Sequence, residues 1–306
     1  MAKTIIGKAS KLFSVIVAAA VLAGCVFMFS ACESKNPEIR ITVSFNDTEY
    51  ELEYKLYRSF APQTVAHYIE LIDLDYFNNT VIHDYQSDRM IGGGFTYEDM
   101  ENGDVMDDLE QKDYDEATTN SDGSLKLNNI SVWSDADRKQ ATNRLYGETK
   151  DNGFSVENGG LSNTFGALGA YTYATKTSGA SGEEIGMNTR VYTQQSNGQE
   201  GEGAYYKNSF QGMFYIYTST TTSSSTNYCV FGELKDEDSN TALNDLLTAI
   251  SDYVADEANN LDSFTEELDD SLVQDSMITG GSYEPAANFL VPQVRIIITD
   301  VTVTKY

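Results

Sequence analysis

Residues 59–95 read SFAPQTVAHYIELIDLDYFNNTVIHDYQSDRMIGGGF. Ala61-Pro62 opens a helix here, because proline has no N–H and the first helical turn leaves that donor unpaired anyway. Val65, Tyr68, Ile69 and Ile72 follow at i, i+3, i+4 and i+7, one apolar stripe to be buried. His67 lies beside that stripe and is expected half-buried. A short strand with a glycine run follows. Gly92-Gly93-Gly94 lacks both the Lys-Ser/Thr continuation and the following helix of a phosphate loop, so a close-packed strand is expected there.

The flanks are mostly β. Upstream, Ile39, Ile41, Val43 and Phe45 alternate with polar residues, as do Tyr50, Leu52, Tyr54 and Leu56. Asn46-Asp47 between them makes a β-hairpin with one buried face. Downstream, residues 97–145 are acidic and poorly periodic, which predicts an exposed, partly helical insertion. Gly166 to Ala174 reads as a buried strand, and residues 175–208 as Gly/Ser/Asn-rich loop. Met213–Tyr217 and Tyr228–Gly232 are strands around the polar tract TSTTTSSSTN. Leu243, Leu246, Leu247 and Ile250 mark an amphipathic helix capped near Ser239, continued by the acidic segment ADEANNLDSFTEELDDSL. Val294–Ile298 and Val301–Val303 close the chain as strongly β-forming sequence. Strands at both ends, with one helix early and one late, predict a mainly β protein: a closed barrel capped by two helices.

The 306 residues carry 47 Asp and Glu against 20 Lys and Arg, a formal net charge of −27. That balance excludes a nucleic-acid partner, since phosphates need neutralising by basic side chains. Two His and three Cys leave almost nothing from which to build a zinc site, and no metal or cofactor is expected. Asp236-Glu237-Asp238-Ser239-Asn240 starts like a calcium-binding loop. The glycine it needs is Thr241 and its twelfth position is Leu247, so the template fails.

The first eleven residues hold Lys3, Lys8 and Lys11 and no acid, and an apolar run extends from Leu12 to Ala31. This is the pattern of an export signal. Leu22-Ala23-Gly24-Cys25 and Phe29-Ser30-Ala31-Cys32 each resemble a bacterial lipobox, whose cysteine is lipidated. Cys32 is favoured, because cleavage before Cys25 would leave Val26–Phe29 on the mature tether. The expected organisation is a signal and lipid anchor over 1–32, a tether over 33–37 and one domain over 38–306. Insertions are expected at about 97–145, 175–207 and 252–290. The alternative is an uncleaved transmembrane anchor, since about 20 apolar residues can span a bilayer. Either way the body is exported and held at a membrane. Only Cys229 remains in it, so intramolecular disulfides do not contribute.

The order of these pieces resembles the cyclophilin-type peptidyl-prolyl isomerases. Ala61, Pro62, Thr64 and Val65 match the family's first helix. Tyr76, Phe77 and His83 match its next segment, and Met90, Ile91, Gly93 and Gly94 its glycine-rich strand. Leu145–Phe154, Gly166-Ala167-Leu168, Asn208–Ile216 and Val230-Phe231-Gly232 resemble later family segments in the same order. The resemblance implies a closed eight-stranded antiparallel barrel. It also implies isomerisation of X–Pro bonds in polypeptide substrates.

That reaction breaks no bond. The enzyme must bind the twisted amide better than either planar form, against a barrier of about 18–20 kcal/mol. In the family, as the resemblance implies, an apolar pocket holds the proline ring. An arginine after the Phe-His pair donates to the twisted amide, and a glutamine and an asparagine hold the flanking backbone. Carried over, the arginine position is Asp84, and a carboxylate cannot donate. The pocket phenylalanine falls on Arg89, followed by the retained Met90. The two glutamine positions fall on Gly92 and Met213, with Gln211 just before the latter. Tyr215 takes the place of a second pocket phenylalanine and Tyr228 that of a late histidine. The asparagine position falls near Thr172 and a tryptophan position near Ser223. Asp84, Arg89, Met90, Gly92, Met213, Tyr215 and Tyr228 are therefore expected to line the groove. His83 is expected to be structural. Arg89 either replaces the missing arginine or simply pairs with Asp84 or faces solvent. Two functions follow as expectations. One is a surface-anchored isomerase of exported chains, weakened by Asp84. The other is a catalytically silent module that binds proline-containing segments or partner proteins.

Overall fold

The computed structural model describes residues 36–101, 104–129, 131–132, 141–143, 145–149, 161–171, 174–177, 184–186, 189–194, 200–205, 209–223, 228–259, 261, 263–268, 283–286 and 289–306. Eight strands close an antiparallel barrel: β1 (Glu38–Phe45), β2 (Thr48–Leu56), β3 (Thr80–Tyr85), β4 (Arg89–Gly92), β7 (Leu168–Tyr171), β8 (Met213–Tyr217), β9 (Cys229–Leu234) and β12 (Ile296–Lys305). Outside it lie the hairpin of β5 (Phe95–Tyr97) with β6 (Leu109–Gln111), and the pair β10 (Thr265–Leu268) with β11 (Phe289–Pro292). Around the barrel the order is β1-β2-β9-β7-β8-β4-β3-β12, and β12 returns to β1. The mainly β, closed eight-stranded barrel expected from the sequence is the architecture found.

Local sequence explains the elements. Asn46 and Asp47 take φ of 48° and 60°, the left-handed conformations a two-residue hairpin turn demands. The alternating residues Ile39, Ile41, Val43, Phe45, Leu52, Tyr54 and Leu56 all point into the barrel core. Helix α1 (Pro62–Asp73) has proline in its first turn but no side-chain cap from Ala61. Glu148 does that work from a distance. Its carboxylate accepts from the Gln63 N–H at 3.2 Å, and from the Thr64 N–H and hydroxyl at 2.8 Å each. On the buried face of α1, the Tyr68 hydroxyl donates to the Met213 carbonyl, tying the helix to the start of β8. His67 is fully buried rather than half-buried.

Helix α3 spans Glu237–Ala255, and its cap lies three residues before Ser239. Asp236 is the cap, accepting from the Ser239 N–H at 2.9 Å. Leu243, Leu246 and Ile250 are its buried stripe. The acidic segment does not prolong it. The helix ends at Ala255, a 3₁₀ turn covers Glu257–Asn259, and the chain then enters β10.

The insertions are less exposed than their composition predicts. Within 97–145, Tyr97, Leu109, Tyr114 and Leu127 are buried, and α2 (Tyr114–Thr118) packs Tyr114 onto the core. Residues 175–208 include paired strands, among them Thr189–Gln194 with Glu200–Tyr205, rather than loop alone. The second apolar cluster joins Val81, Phe95, Tyr97, Leu109, Met213, Phe289 and Val291, so the inserted strands β5, β6 and β11 cover one part of the barrel wall.

Candidate functional site

Strand alternation sorts the wall into two faces. On β4, Met90 joins the interior cluster with Ile82, Phe214 and Ile216, whereas Ile91 joins an outer cluster with Tyr215, Tyr217 and Val230. A Cβ on Gly92 would meet Ile82 and Ile298 at 2.8 Å, so that position also faces inward. Met90 and Gly92 therefore do not line the groove expected from the sequence. The outward residues of β4 are Arg89 and Ile91. A strand has period two, so a family match displaced by one residue exchanges the faces. The pairing of β3 with β4 shifts register between Ile82 and Asp84, opposite this stretch of β4.

Arg89 is the centre of the outer face. It is 8% exposed. Its guanidinium carbon lies 4.7 Å from the Tyr228 ring centre, 5.3 Å from Tyr215 and 5.9 Å from Tyr217. Its Nε donates to Asp88 Oδ1 at 2.9 Å and its Nη2 to Asp88 Oδ2 at 2.7 Å. So Arg89 neither pairs with Asp84 nor faces solvent. Burial works against the charge, but the Asp88 carboxylate outweighs it and holds the guanidinium ionised, above its ordinary range. Among the described residues, Nη1 has no acceptor.

The tyrosines form a frame. Tyr215 is fully buried, edge-on to Tyr228 at 5.5 Å and to Tyr171 at 6.3 Å. It sits on Gly169, where a Cβ would come within 2.1 Å of the ring. Its hydroxyl donates to Asn163 Oδ1 at 2.6 Å. Tyr217 donates to the Thr221 carbonyl at 2.9 Å. Burial pushes the hydroxyl pKa values of Tyr171 and Tyr215 up, so both stay neutral donors.

Asp84 is also on the wall, but covered. It has no exposed surface. Its Oδ1 accepts from the Leu290 N–H at 3.1 Å and its Oδ2 from Gln86 Nε2 at 2.9 Å. Burial raises its pKa, and those two bonds only partly offset the shift. Met213 is likewise enclosed by the second apolar cluster, its side chain pressed against Gly94. Two of the expected groove residues are thus roofed by β11, and three (Arg89, Tyr215 and Tyr228) stand together. His83 is buried against Phe95 at 4.2 Å and Phe289 at 5.7 Å, a packing position. Burial lowers its pKa to about 3, so it is neutral at physiological pH.

Sequence reasoning missed Asn163, Tyr217, Ile91 and Leu290 as parts of this site. Ile91 and Tyr217 were recoverable from the two-residue period of β4 and β8. Asn163 and Leu290 come from segments with no local pattern. Ser223 pairs its backbone with Asn163 in both directions at 3.0 Å, so the Ser/Thr tract reaches the site through Asn163. Thr172, Cys25 and Cys32 lie outside the described residues, as does the run from Leu12 to Ala31. Among the described residues, no helix is long and apolar enough to cross a membrane. None of their His, Cys, Asp and Glu side chains group in threes as metal ligands would.

A closed eight-stranded barrel with helices α1 and α3, and a wall where Tyr171 of β7, Tyr215 and Tyr217 of β8 and Tyr228 just before β9 surround Arg89 of β4, defines the class of the protein. The family model described as cyclophilin type peptidyl-prolyl cis-trans isomerase/CLD matches residues 40–263. The chain belongs to that family. Among solved structures it is similar to a cyclophilin-type peptidyl-prolyl cis-trans isomerase of Cryptosporidium parvum. That comparison has 14% identity and a TM-score of 0.37, covering 89% of this chain and 99% of that one. The same protein in the presence of the dipeptide Ala-Pro gives 14% identity and a TM-score of 0.35, with 88% and 99% covered. Comparison with curated proteins finds no match.

Proposed function

We propose that the chain is a weak peptidyl-prolyl cis-trans isomerase, acting on proline-containing segments of exported polypeptides. The observation that carries this reading is Arg89. Its guanidinium is fixed on the outer wall by Asp88 and by the rings of Tyr215 and Tyr228, with no acceptor for Nη1 among the described residues. A preorganised donor in an apolar, aromatic setting can bind the nitrogen of the twisted amide, whose lone pair is freed by the twist, more strongly than that of the planar amide. It thereby takes over what Asp84 cannot do. The test is exchange NMR on a proline-containing tetrapeptide with the full chain in detergent micelles. Acceleration of cis/trans exchange that disappears in Arg89→Ala is the expected result. No acceleration by the wild type overturns the reading.

A second reading, the silent binding module, is favoured by one observation. Asp84, at the position where the family resemblance implies arginine, is roofed by Leu290. On this reading the wild type binds proline-containing segments without changing the exchange rate.

We place the protein on the outer face of the cell membrane as a lipoprotein. Support comes from Lys3, Lys8 and Lys11, the apolar run after them, and Cys32 at its end. Metabolic labelling with a fatty-acid analogue checks this. Label should be lost in Cys32→Ala and kept in Cys25→Ala, whereas label kept in both variants overturns it.

A further inference from the structure

Asn163 sits behind the aromatic wall, 2% exposed, between the segments Leu145–Phe154 and Gly166-Ala167-Leu168. It is held from both sides. Its N–H donates to the Ser223 carbonyl and its carbonyl accepts from the Ser223 N–H, each at 3.0 Å. Its Nδ2 reaches Ser223 Oγ at 3.4 Å. Only Oδ1 is directed at the wall, where it accepts the Tyr215 hydroxyl at 2.6 Å.

That bond anchors the hydroxyl end of Tyr215 and so fixes how its ring stands beside Arg89. A tyrosine beside a guanidinium has two options. The hydroxyl oxygen can accept from an N–H, or the ring can present its electron-rich face. With the hydroxyl donated to Asn163, the ring is what stands 5.3 Å from the Arg89 guanidinium carbon. Gly169 lets the ring lie flat on β7, and Tyr228 closes it edge-on at 5.5 Å. Among the described residues, the side-chain hydrogen bonds of Arg89 go to Asp88 and none to Tyr215. Nε and Nη2 go to Asp88, and Nη1, which has no acceptor among the described residues, is left for the nitrogen of a twisted substrate amide.

We infer that Asn163 is a positioning residue, which through Tyr215 sets the orientation of Arg89. Its consequence for catalysis rests on the isomerase reading above. Its consequence for the Arg89 side chain does not.

The test keeps the two apart. The full chain, with ¹⁵N-labelled arginine, is studied in detergent micelles, and the Arg89 Nε–H signal is assigned by its loss in Arg89→Lys. In the wild type this proton should exchange slowly, since it is donated to Asp88 in a site that is 8% exposed. Asn163→Ala and Tyr215→Phe should each speed that exchange. Asn163→Asp, which keeps an acceptor for the hydroxyl, should restore slow exchange. In the peptide assay Asn163→Ala should lower kcat by about three- to ten-fold, the scale of one cation–π contact, with KM little changed. Unchanged Arg89 exchange in both Asn163→Ala and Tyr215→Phe overturns the inference. An inactive wild type in which Arg89 still responds overturns the isomerase reading and leaves the positioning role standing. Should Asn163→Ala fail to fold, Tyr215→Phe, which removes one oxygen atom, carries the same test alone.

Discussion

The Leu290 backbone N–H donates to the Asp84 carboxylate at 3.1 Å, across a separation of 206 residues in the chain. The contact places β11 over the wall of β3. Phe289 and Val291, on either side of Leu290, are fully buried beside Phe95 and Met213. A strand far from the family motifs therefore roofs the position from which an arginine would act.

Asp84→Asn should stabilise the protein at neutral pH. The folded-state pKa of Asp84 lies above its ordinary 3.8 because of burial, so ionisation disfavours the folded state. The sign follows from linkage. The penalty is fully present above the folded pKa and vanishes as pH falls below the unfolded value. Asparagine still accepts from Leu290 and can donate to Gln86 after that amide turns over. Urea midpoints should show a gain of about 1 kcal/mol at pH 7, shrinking to nothing below about pH 4. A loss of stability at pH 7 would contradict this account.

Asp84→Arg should not rebuild the family's donor. The larger cation would need the space occupied by Leu290 and Phe289. The expected result is detachment of β10 and β11, read as faster proteolysis within residues 264–292, at a cost of several kcal/mol. Wild-type protease resistance in this variant would show that β11 yields without loss.

Acid should destabilise the fold through its two histidines. Both are buried, and burial lowers His67 to about 4 and His83 to about 3, from an ordinary value of 6.5. Depressed folded-state values mean the protonated form is disfavoured in the fold. Their contribution is complete above the unfolded pKa near 6.5 and is lost as pH falls toward the folded values. Each should cost about 2–3 kcal/mol at pH 4.5 relative to pH 7.5. His83→Phe should flatten the pH dependence by that amount. So should His67→Gln, which can keep a bond to the Gln211 carbonyl that His67 now reaches at 3.1 Å. Denaturation midpoints at the two pH values measure both.

Glu148→Ala should loosen α1. The buried carboxylate satisfies three donors at the start of the helix, and no side chain at Ala61 can replace it. Caps of this kind contribute about 1–2 kcal/mol, and leaving a buried donor unpaired adds to the loss. A urea midpoint lower by about 2–3 kcal/mol is expected, with Glu148→Gln in between. An unchanged midpoint would mean that water takes over the three donors.

The barrel was legible because its signals are local. Ile39–Phe45 alternate, Asn46-Asp47 turn, and Pro62 starts α1. What stayed hidden has long-range causes. The inward faces of Met90 and Gly92 go with the register shift between Ile82 and Asp84 in the pairing of β3 with β4, which a motif match does not show. Burial of the acidic insertions depends on single residues such as Tyr114 and Phe289 meeting surfaces supplied by distant segments. The pairing of Arg89 with its neighbour Asp88, rather than with Asp84, was decided by strand direction. Asp84 is turned beneath β11, while Arg89 is turned toward the tyrosines. Asn163 has one functional atom, and nothing near it in sequence points to Tyr215.

The strongest steric constraint at the site is Gly169 under Tyr215. An ideal Cβ at 169 would lie 2.1 Å from Cζ, 2.2 Å from Cε1 and 2.3 Å from the hydroxyl of that ring. No real Cβ approaches a ring so closely, and the ring cannot simply slide, because its hydroxyl is bound to Asn163 and its edge is closed by Tyr228. Gly169→Ala should therefore cost about 1–3 kcal/mol and turn Tyr215 off its seat. A double variant distinguishes this from a general weakening of β7. If the cost is the clash with Tyr215, Tyr215→Leu should relieve most of it, giving a coupling energy of at least about 1 kcal/mol in the cycle. If β7 is merely stiffened or distorted, the two substitutions should add. Activity separates the cases again. The double variant should regain stability but not isomerase activity, because the ring face that orients Arg89 is gone.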